Sequence, residues 1–338
     1  MIAAMVIPTG NGCTIGGHAG DACAHARLLA SSVDKLIVHP NVVNGSDLNE
    51  MTENMLYVDG YMLDQFFNNE FNLWKPKSNK ILLAVNKPVL VETINSVNAA
   101  RVQLGAEIEI IELENELVAI ANYNQDGSAS GKIDGHLELV KQIRNIEFDA
   151  LAIQSKIKVN KDVVEKYLKE GGVNPWGGAE ALLSRSISKE LKTTSRLKPV
   201  AHAPLEHGLF DEVNEVVDPR LAAEMVSVSY LHCILKGLHK APIPVSWGKE
   251  FIYVINSYDI NCVVVPYNIP ISHNCLNKNM PIINVRENIN IYSNEEYNKY
   301  KNRVDVATYL EAVGVITAIK AGVSLNSLKR PVESIIIH

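Results

Sequence analysis

Two imidazoles and a carboxylate lie together in His202-Ala-Pro-Leu-Glu206-His207, directly after a short apolar run. Histidine changes charge near neutral pH, so this group can share acid and base work, with Glu206 orienting one ring. Metal binding is the other use. The His-x-x-x-Glu-His spacing is one residue longer than an inverted zinc-protease motif, and Pro204 breaks the helix such a motif needs. A loop-based divalent site using His202 and His207 stays open, as does a purely structural role for both rings. Cys275, after His273-Asn274, stands near an expected turn and is a candidate nucleophile; Cys13 is a second candidate thiol. Inert packing is the other reading of both.

Candidate binding residues gather at glycines. Pro8 to Asp21 holds five glycines between an expected strand and an expected helix. Glycine lets a backbone approach a ligand, and a helix N-terminus attracts anions. Gly10, Gly12, Cys13, Gly16, Gly17, His18 and Asp21 are therefore candidates for holding a phosphate or carboxylate. His39 and Asn41, which close the second strand, are counted with them. Asn174, Gly177 and Gly178 form a second glycine turn before a helix, and Arg286 ends a late strand where it could clamp an anion. A tight turn without ligand is the other reading of the loop, and an ordinary ion pair that of Arg286. No Gly-Lys-Ser/Thr follows the glycines, so this is no Walker loop. The second strand ends in His39-Pro40-Asn41 rather than an acid, which argues against a nicotinamide dinucleotide; no flavin motif is found either.

The elements that must position these residues alternate. Apolar strands are expected at 2–7, 35–38, 55–58, 81–85, 108–113, 149–153, 199–201, 251–255, 261–265 and 281–285. Helices are expected from Ala22 with Asp21 as cap, from Glu92 to Leu104, from 135 to 144, from 177 to 191, from Pro219 to Leu235 and from Val304 to Ala321. The polar stretch 122–135 reads as a long loop. Near-continuous apolar strands between helices predict an α/β fold: three layers, a mostly parallel sheet, and two Rossmann-like halves, 1–160 and 161–338, with a cleft between them.

Composition narrows the function. A net charge of −6 with a pI near 6.0 argues against nucleic-acid or anionic-membrane partners. No apolar run reaches the roughly 18 residues a membrane span needs. The N-terminus lacks a basic region, and Pro8 cuts its apolar run short. The cysteines number five, with no Cys-x-x-Cys pair, so a disulfide framework is not expected and the cytoplasm is the expected compartment. The apolar tail 334–337 could serve a homo-oligomer.

The chain resembles a bacterial and cyanobacterial family of conserved proteins of unknown function. The stretches carrying this are Pro8–Asp21, His39–Asn44, Asn174–Ala181, His202–Pro204, Leu231–His239 and Ile283–Asn288. The resemblance spans almost the full length and carries no activity with it. A fainter likeness to nucleotide-sugar glycosyltransferases and sugar epimerases rests on Gly16-Gly-His-Ala-Gly20 and Met280-Pro-Ile-Ile-Asn-Val-Arg-Glu287, with Ser272–Cys275 where those enzymes carry a Gly-Gly turn. The expected function is a cytoplasmic enzyme acting on a small anionic metabolite by histidine-assisted hydrolysis, elimination or isomerisation. A nucleotide-sugar enzyme and a non-catalytic metabolite-binding protein are the alternatives.

Overall fold

A computed structural model describes residues 1–19, 21–205, 216–225, 230–246, 253–269, 280–293, 302–332 and 334–335. The strands in chain order are β1 Ile2–Met5, β2 Lys35–Val38, β3 Met55–Tyr57, β4 Asn72–Trp74, β5 Lys80–Val85, β6 Glu107–Glu112, β7 Val118–Tyr123, β8 Ala129–Asp134, β9 Ala150–Ser155, β10 Ile157–Lys158, β11 Val200–Pro204, β12 Ile243–Val245, β13 Ile260–Pro266, β14 Ile282–Val285 and β15 Arg303–Val306. The helices are α1 Cys23–Ala30, α2 Gly60–Phe67, α3 Val91–Leu104, α4 His136–Gln142, α5 Lys161–Glu170, α6 Pro175–Thr193, α7 Pro219–Met225, α8 Tyr230–His239 and α9 Tyr309–Lys320.

Two parallel sheets carry the fold. The larger has the order β15-β14-β13-β1-β2-β3 and the smaller β11-β9-β5-β6. Their inner strands are apolar on both faces because both faces are covered, whereas the edge strands β6 and β15 carry Glu107, Glu109, Arg303 and Asp305. Ala3, Met5, Leu36 and Val38 face one core with Ile81, Leu83, Ala150 and Ala152 of the second sheet, and α8 contributes Leu231, Ile234 and Leu235 between them. Ala4, Ile37 and Val263 turn the other way, onto Met62, Leu63 and Phe66 of α2. On the outer face of the second sheet, Leu82, Leu151 and Ile153 meet Leu183 and Ile187 of α6 and Leu139 of α4. This is the three-layer α/β arrangement, with mostly parallel sheets.

The sheets do not divide the chain at residue 160. The larger sheet takes β1–β3 from the N-terminal end and β13–β15 from the C-terminal end, while the smaller is built from residues between them. The sequence marks most strands of the two parallel sheets but not which of them pair.

Four local expectations change. The stretch 122–135 is no loop: β7 and β8 form an antiparallel hairpin, its turn held by Asp126, which accepts from Ser128 N at 3.0 Å. The helix expected from Val304 begins later. Residues 303–306 form β15, and Thr308 caps α9 by accepting from Glu311 N at 3.2 Å. The helix expected from Pro219 to Leu235 is described as two, α7 and α8. Asp21 does not cap α1; its carboxylate is used in the loop before it.

Candidate functional site

In the larger sheet β1 lies between β2 and β13, so the chain leaves the carboxyl ends of β1 and β13 toward opposite sides. Open α/β sheets bind ligands at such a switch point. A cavity of about 430 Å³ opens there, within the size range of small-molecule sites. Its floor is Val6–Thr9 after β1, His39 after β2 and Tyr57 at the end of β3. Its walls are α2, the first turns of α6, and β11, the edge strand of the smaller sheet.

The glycine loop is organised from inside. Asp21 Oδ2 accepts from Gly16 N at 3.1 Å, and its Oδ1 from His18 N at 3.4 Å. Arg220 of α7 donates from Nε to Asp21 Oδ2 at 2.7 Å, and from its terminal nitrogen to the carbonyls of Cys13 at 2.9 Å and Gly16 at 3.1 Å. Asn41 donates to the carbonyls of Ile7 and Pro8 at 3.1 and 2.9 Å. A carboxylate of the chain itself therefore holds the amides of Gly16 and His18. Gly16 has φ +88, and a Cβ there would lie 2.6 Å from the Ile7 side chain. Gly10 accepts from Ala129 N at 2.9 Å, and Gly12 lies against Val173, so both serve packing. Burial pushes the Cys13 thiol up to about 12, the reverse of what a nucleophile needs. Gly17 and His18 line the cavity. The His18 ring stacks on Tyr167 at 5.6 Å, and burial, then Arg220, pulls it down to about 4.

The second glycine turn divides likewise. Asn174 Oδ1 caps α6 by accepting from Trp176 N at 3.0 Å and Gly177 N at 3.4 Å. Gly178 is structural: a Cβ would sit 2.3 Å from the Ala129 carbonyl carbon, so only glycine lets α6 pack on β8. Asn174, Trp176 and Gly177 line the cavity.

His202 sits on β11 with both ring nitrogens engaged. Nδ1 is 3.3 Å from Glu180 Oε1 of α6, and Nε2 is 3.0 Å from Ser155 Oγ at the end of β9. A carboxylate only accepts, so Nδ1 donates to Glu180, while Nε2 and Ser155 Oγ are hydrogen-bond partners. No ring nitrogen remains for a metal. His202 and Glu180 line the cavity and Ser155 does not, so the hydroxyl orients the ring rather than meeting a ligand. Glu224 of α7 completes the wall. It accepts from Asn174 Nδ2 at 2.8 Å and from Tyr167 Oη at 3.2 Å, and burial, aided by the charge of Glu180, pushes it up to about 8. A carboxyl so placed is mostly protonated at neutral pH. His39 is fully buried, pulled down to about 4 by burial, and accepts from Ile7 N at 3.0 Å.

Of the residues expected from sequence, His18, His39, Asn41, Gly17, Asn174, Gly177 and His202 meet at this cavity. Arg286 does not. It lies at the end of β14, exposed, with Asp305 Oδ2 3.4 Å away. Glu206, His207 and Cys275 lie outside the described residues. No cluster of three metal-ligating side chains occurs among the described residues. Sequence reasoning missed Glu180, Glu224, Ser155 and Arg220. One signal was available for Glu224: with Leu221 and Met225 it falls on the apolar stripe of α7, where an acid is out of place.

Fold and cavity define a layered α/β protein with a cavity at the carboxyl edge of a parallel sheet. The chain belongs to the family described as protein of unknown function DUF3326, which it matches over residues 2–329. It is 30% identical, over 337 residues, to an uncharacterized lipoprotein of Synechococcus sp., covering 96% of this chain and 92% of the relative. No solved structure matches the chain.

Proposed function

We propose that the cavity is the active site of an enzyme that moves protons on a small molecule. Glu180, backed by His202, takes a proton; Glu224, held protonated by burial, gives one. A carboxyl backed by an imidazole and a second carboxyl kept protonated by burial, placed in one pocket, suit an isomerisation or elimination, which needs little beyond a placed base and acid. The observation that carries this reading is the hydrogen-bonded series Ser155–His202–Glu180, ending in a carboxylate on the cavity wall opposite the switch point. Ser155 and Glu180 fix the ring from both sides, as a proton relay requires.

The test is incubation of the purified protein with a cell metabolite extract in D2O, read by mass spectrometry. The expected result is one compound lost, an isomer or dehydrated product gained, and deuterium incorporated. Glu180→Gln should slow that conversion by about 10²–10⁴-fold while the circular dichroism melt stays in place. Conversion by Glu180→Gln and His202→Asn at the unmodified rate would overturn the reading. Cys13, Cys23 and Cys262 are buried thiols in no disulfide, which supports a reducing compartment, and the reading keeps the protein in the cytoplasm. Recovery in the membrane fraction, as the Synechococcus relative's description as a lipoprotein would have it, overturns that part alone.

A further inference from the structure

The cavity's charge and its rings select a ligand. Three carboxyl groups line it, those of Asp64, Glu180 and Glu224, against one guanidinium, Arg185, among the described residues. Arg185 is already committed: it lies 2.6 Å from Asp64 Oδ2 and stacks over the Tyr61 ring with 5.4 Å to its centroid. The two imidazoles buried at the floor and loop, His39 and His18, are held neutral by burial. The glycine loop supplies no free positive group either, because Arg220 is spent on Asp21 and two carbonyls. Asp64 is answered by Arg185 and Glu224 is held protonated by burial, so the lining carboxyl left without a cation is Glu180, and it disfavours a phosphate or carboxylate.

Aromatic side chains supply the rest. Tyr57, Tyr61, Phe67, Trp176 and Tyr230 line the same space. Ring faces carry negative potential, and rings beside a carboxylate form the surroundings in which ammonium groups bind. Arg185 between Asp64 and Tyr61 shows this wall doing so with a cation of its own. Among the described residues, four polar atoms at the cavity are buried without a protein partner: His18 Nδ1 and Asn44 Oδ1, and the two donors Tyr57 Oη and Trp176 Nε1. The residues of these two donors are 3% and 5% exposed, so water does not readily satisfy them and a ligand oxygen is the natural partner.

We infer that this cavity takes a small molecule bearing a cationic nitrogen and at least one oxygen, the nitrogen seated between Glu180 and the aromatic rings. The inference deepens the acid–base reading above and reverses the anionic substrate expected from the glycine loop.

Calorimetric titration of the full chain with choline and with ethanolamine, set beside inorganic phosphate and glucose at matched ionic strength, tests it. At least one amine should bind saturably, with phosphate and glucose silent. Glu180→Gln should weaken the amine about tenfold or more, and Trp176→Phe, which keeps the ring and removes the N–H, should weaken choline less. Glu147→Gln, at an exposed carboxylate between α4 and β9, should leave the affinity unchanged. If Glu180→Gln does not fold, Asp64→Asn, which leaves the Arg185 guanidinium unanswered at the cavity, serves in its place. Binding of phosphate in preference to both amines, unchanged amine affinity in the charge-removing variants, or silence from both amines at millimolar concentration overturns the inference. Those outcomes leave proton transfer untouched, because that reading falls only if turnover survives Glu180→Gln.

Discussion

The glycine loop and the α6–β11 wall face one cavity and treat their polar groups in opposite ways. In the loop, the chain answers its own demands. Asp21 meets two amides and Arg220, and Arg220 meets two carbonyls besides. On the wall, a carboxyl is buried whose hydrogen-bond partners among the described residues are the neutral Asn174 and Tyr167, and it is pushed up to about 8. Nearby Trp176 Nε1 has no partner among the described residues. Glycine density reports backbone crowding, whereas an unfavourably buried carboxyl reports an arrangement kept for something other than stability.

The sharpest way to break this comparison is Arg220→Ala. Asp21 has a side chain only 5% exposed, and removing its partner strands a buried carboxylate and two carbonyls. The expected loss is about 3–5 kcal/mol, measured by urea denaturation. Arg220→Lys should recover only part, because one ammonium cannot span the carboxylate and both carbonyls in the guanidinium's fixed geometry. A loss below about 1 kcal/mol would mean that the loop is held by its packing on Ile7 and Val173, and that Arg220 is free for a ligand.

The second test acts on the wall. Glu224 has a folded-state value near 8 against an ordinary value of 4.5. Between those values the folded chain binds a proton that the unfolded chain has released, so stability falls as pH rises from about 4.5 to about 8. The slope from this group approaches 1.4 kcal/mol per pH unit within the window. Asp59, raised by burial from 3.8 to about 7 while accepting from Met62 N and Val200 N, adds in the same direction over its own range. Glu224→Gln should flatten the dependence and leave the variant more stable than the parent near pH 8. Denaturation curves at pH 5, 6.5 and 8 read this directly; equal slopes in both proteins would show that Glu224 is ionised in the folded state.

The two regions were also unequally legible. Parallel strands could be read because helices bury both their faces, leaving runs such as Ile81–Val85 almost wholly apolar. His202 could be placed because such a strand runs through it. The β7–β8 hairpin could not: Asn122, Tyr123 and Lys132 give it no apolar alternation, and packing of Gly131 on Ala179 of α6 decides the outcome. Nothing local records that Ile2 pairs with Ile260, so the interleaving of the chain's two ends in one sheet was invisible. Glu180 failed for a related reason. A glutamate in a helix reads as solvated until the strand carrying His202 is seen beside it.

The smallest effect belongs to Arg286, which sequence reasoning put among the anion-binding groups. Its side chain is 62% exposed, and it lies outside the cavity lining. Its partner Asp305 keeps Arg303 and accepts from Asn284 Nδ2 at 2.9 Å, so Arg286→Ala strands nothing. The expected change in stability is within about 0.5 kcal/mol, with no change in ligand affinity or turnover. Arg220 and Arg286 then differ through their surroundings alone. Both are arginines near a carboxylate, but only Arg220 answers a carboxylate that water cannot reach. Reduced ligand affinity in Arg286→Ala would carry the binding site across to the end of β14 and dissolve the distinction between a self-satisfied loop and a receptive wall.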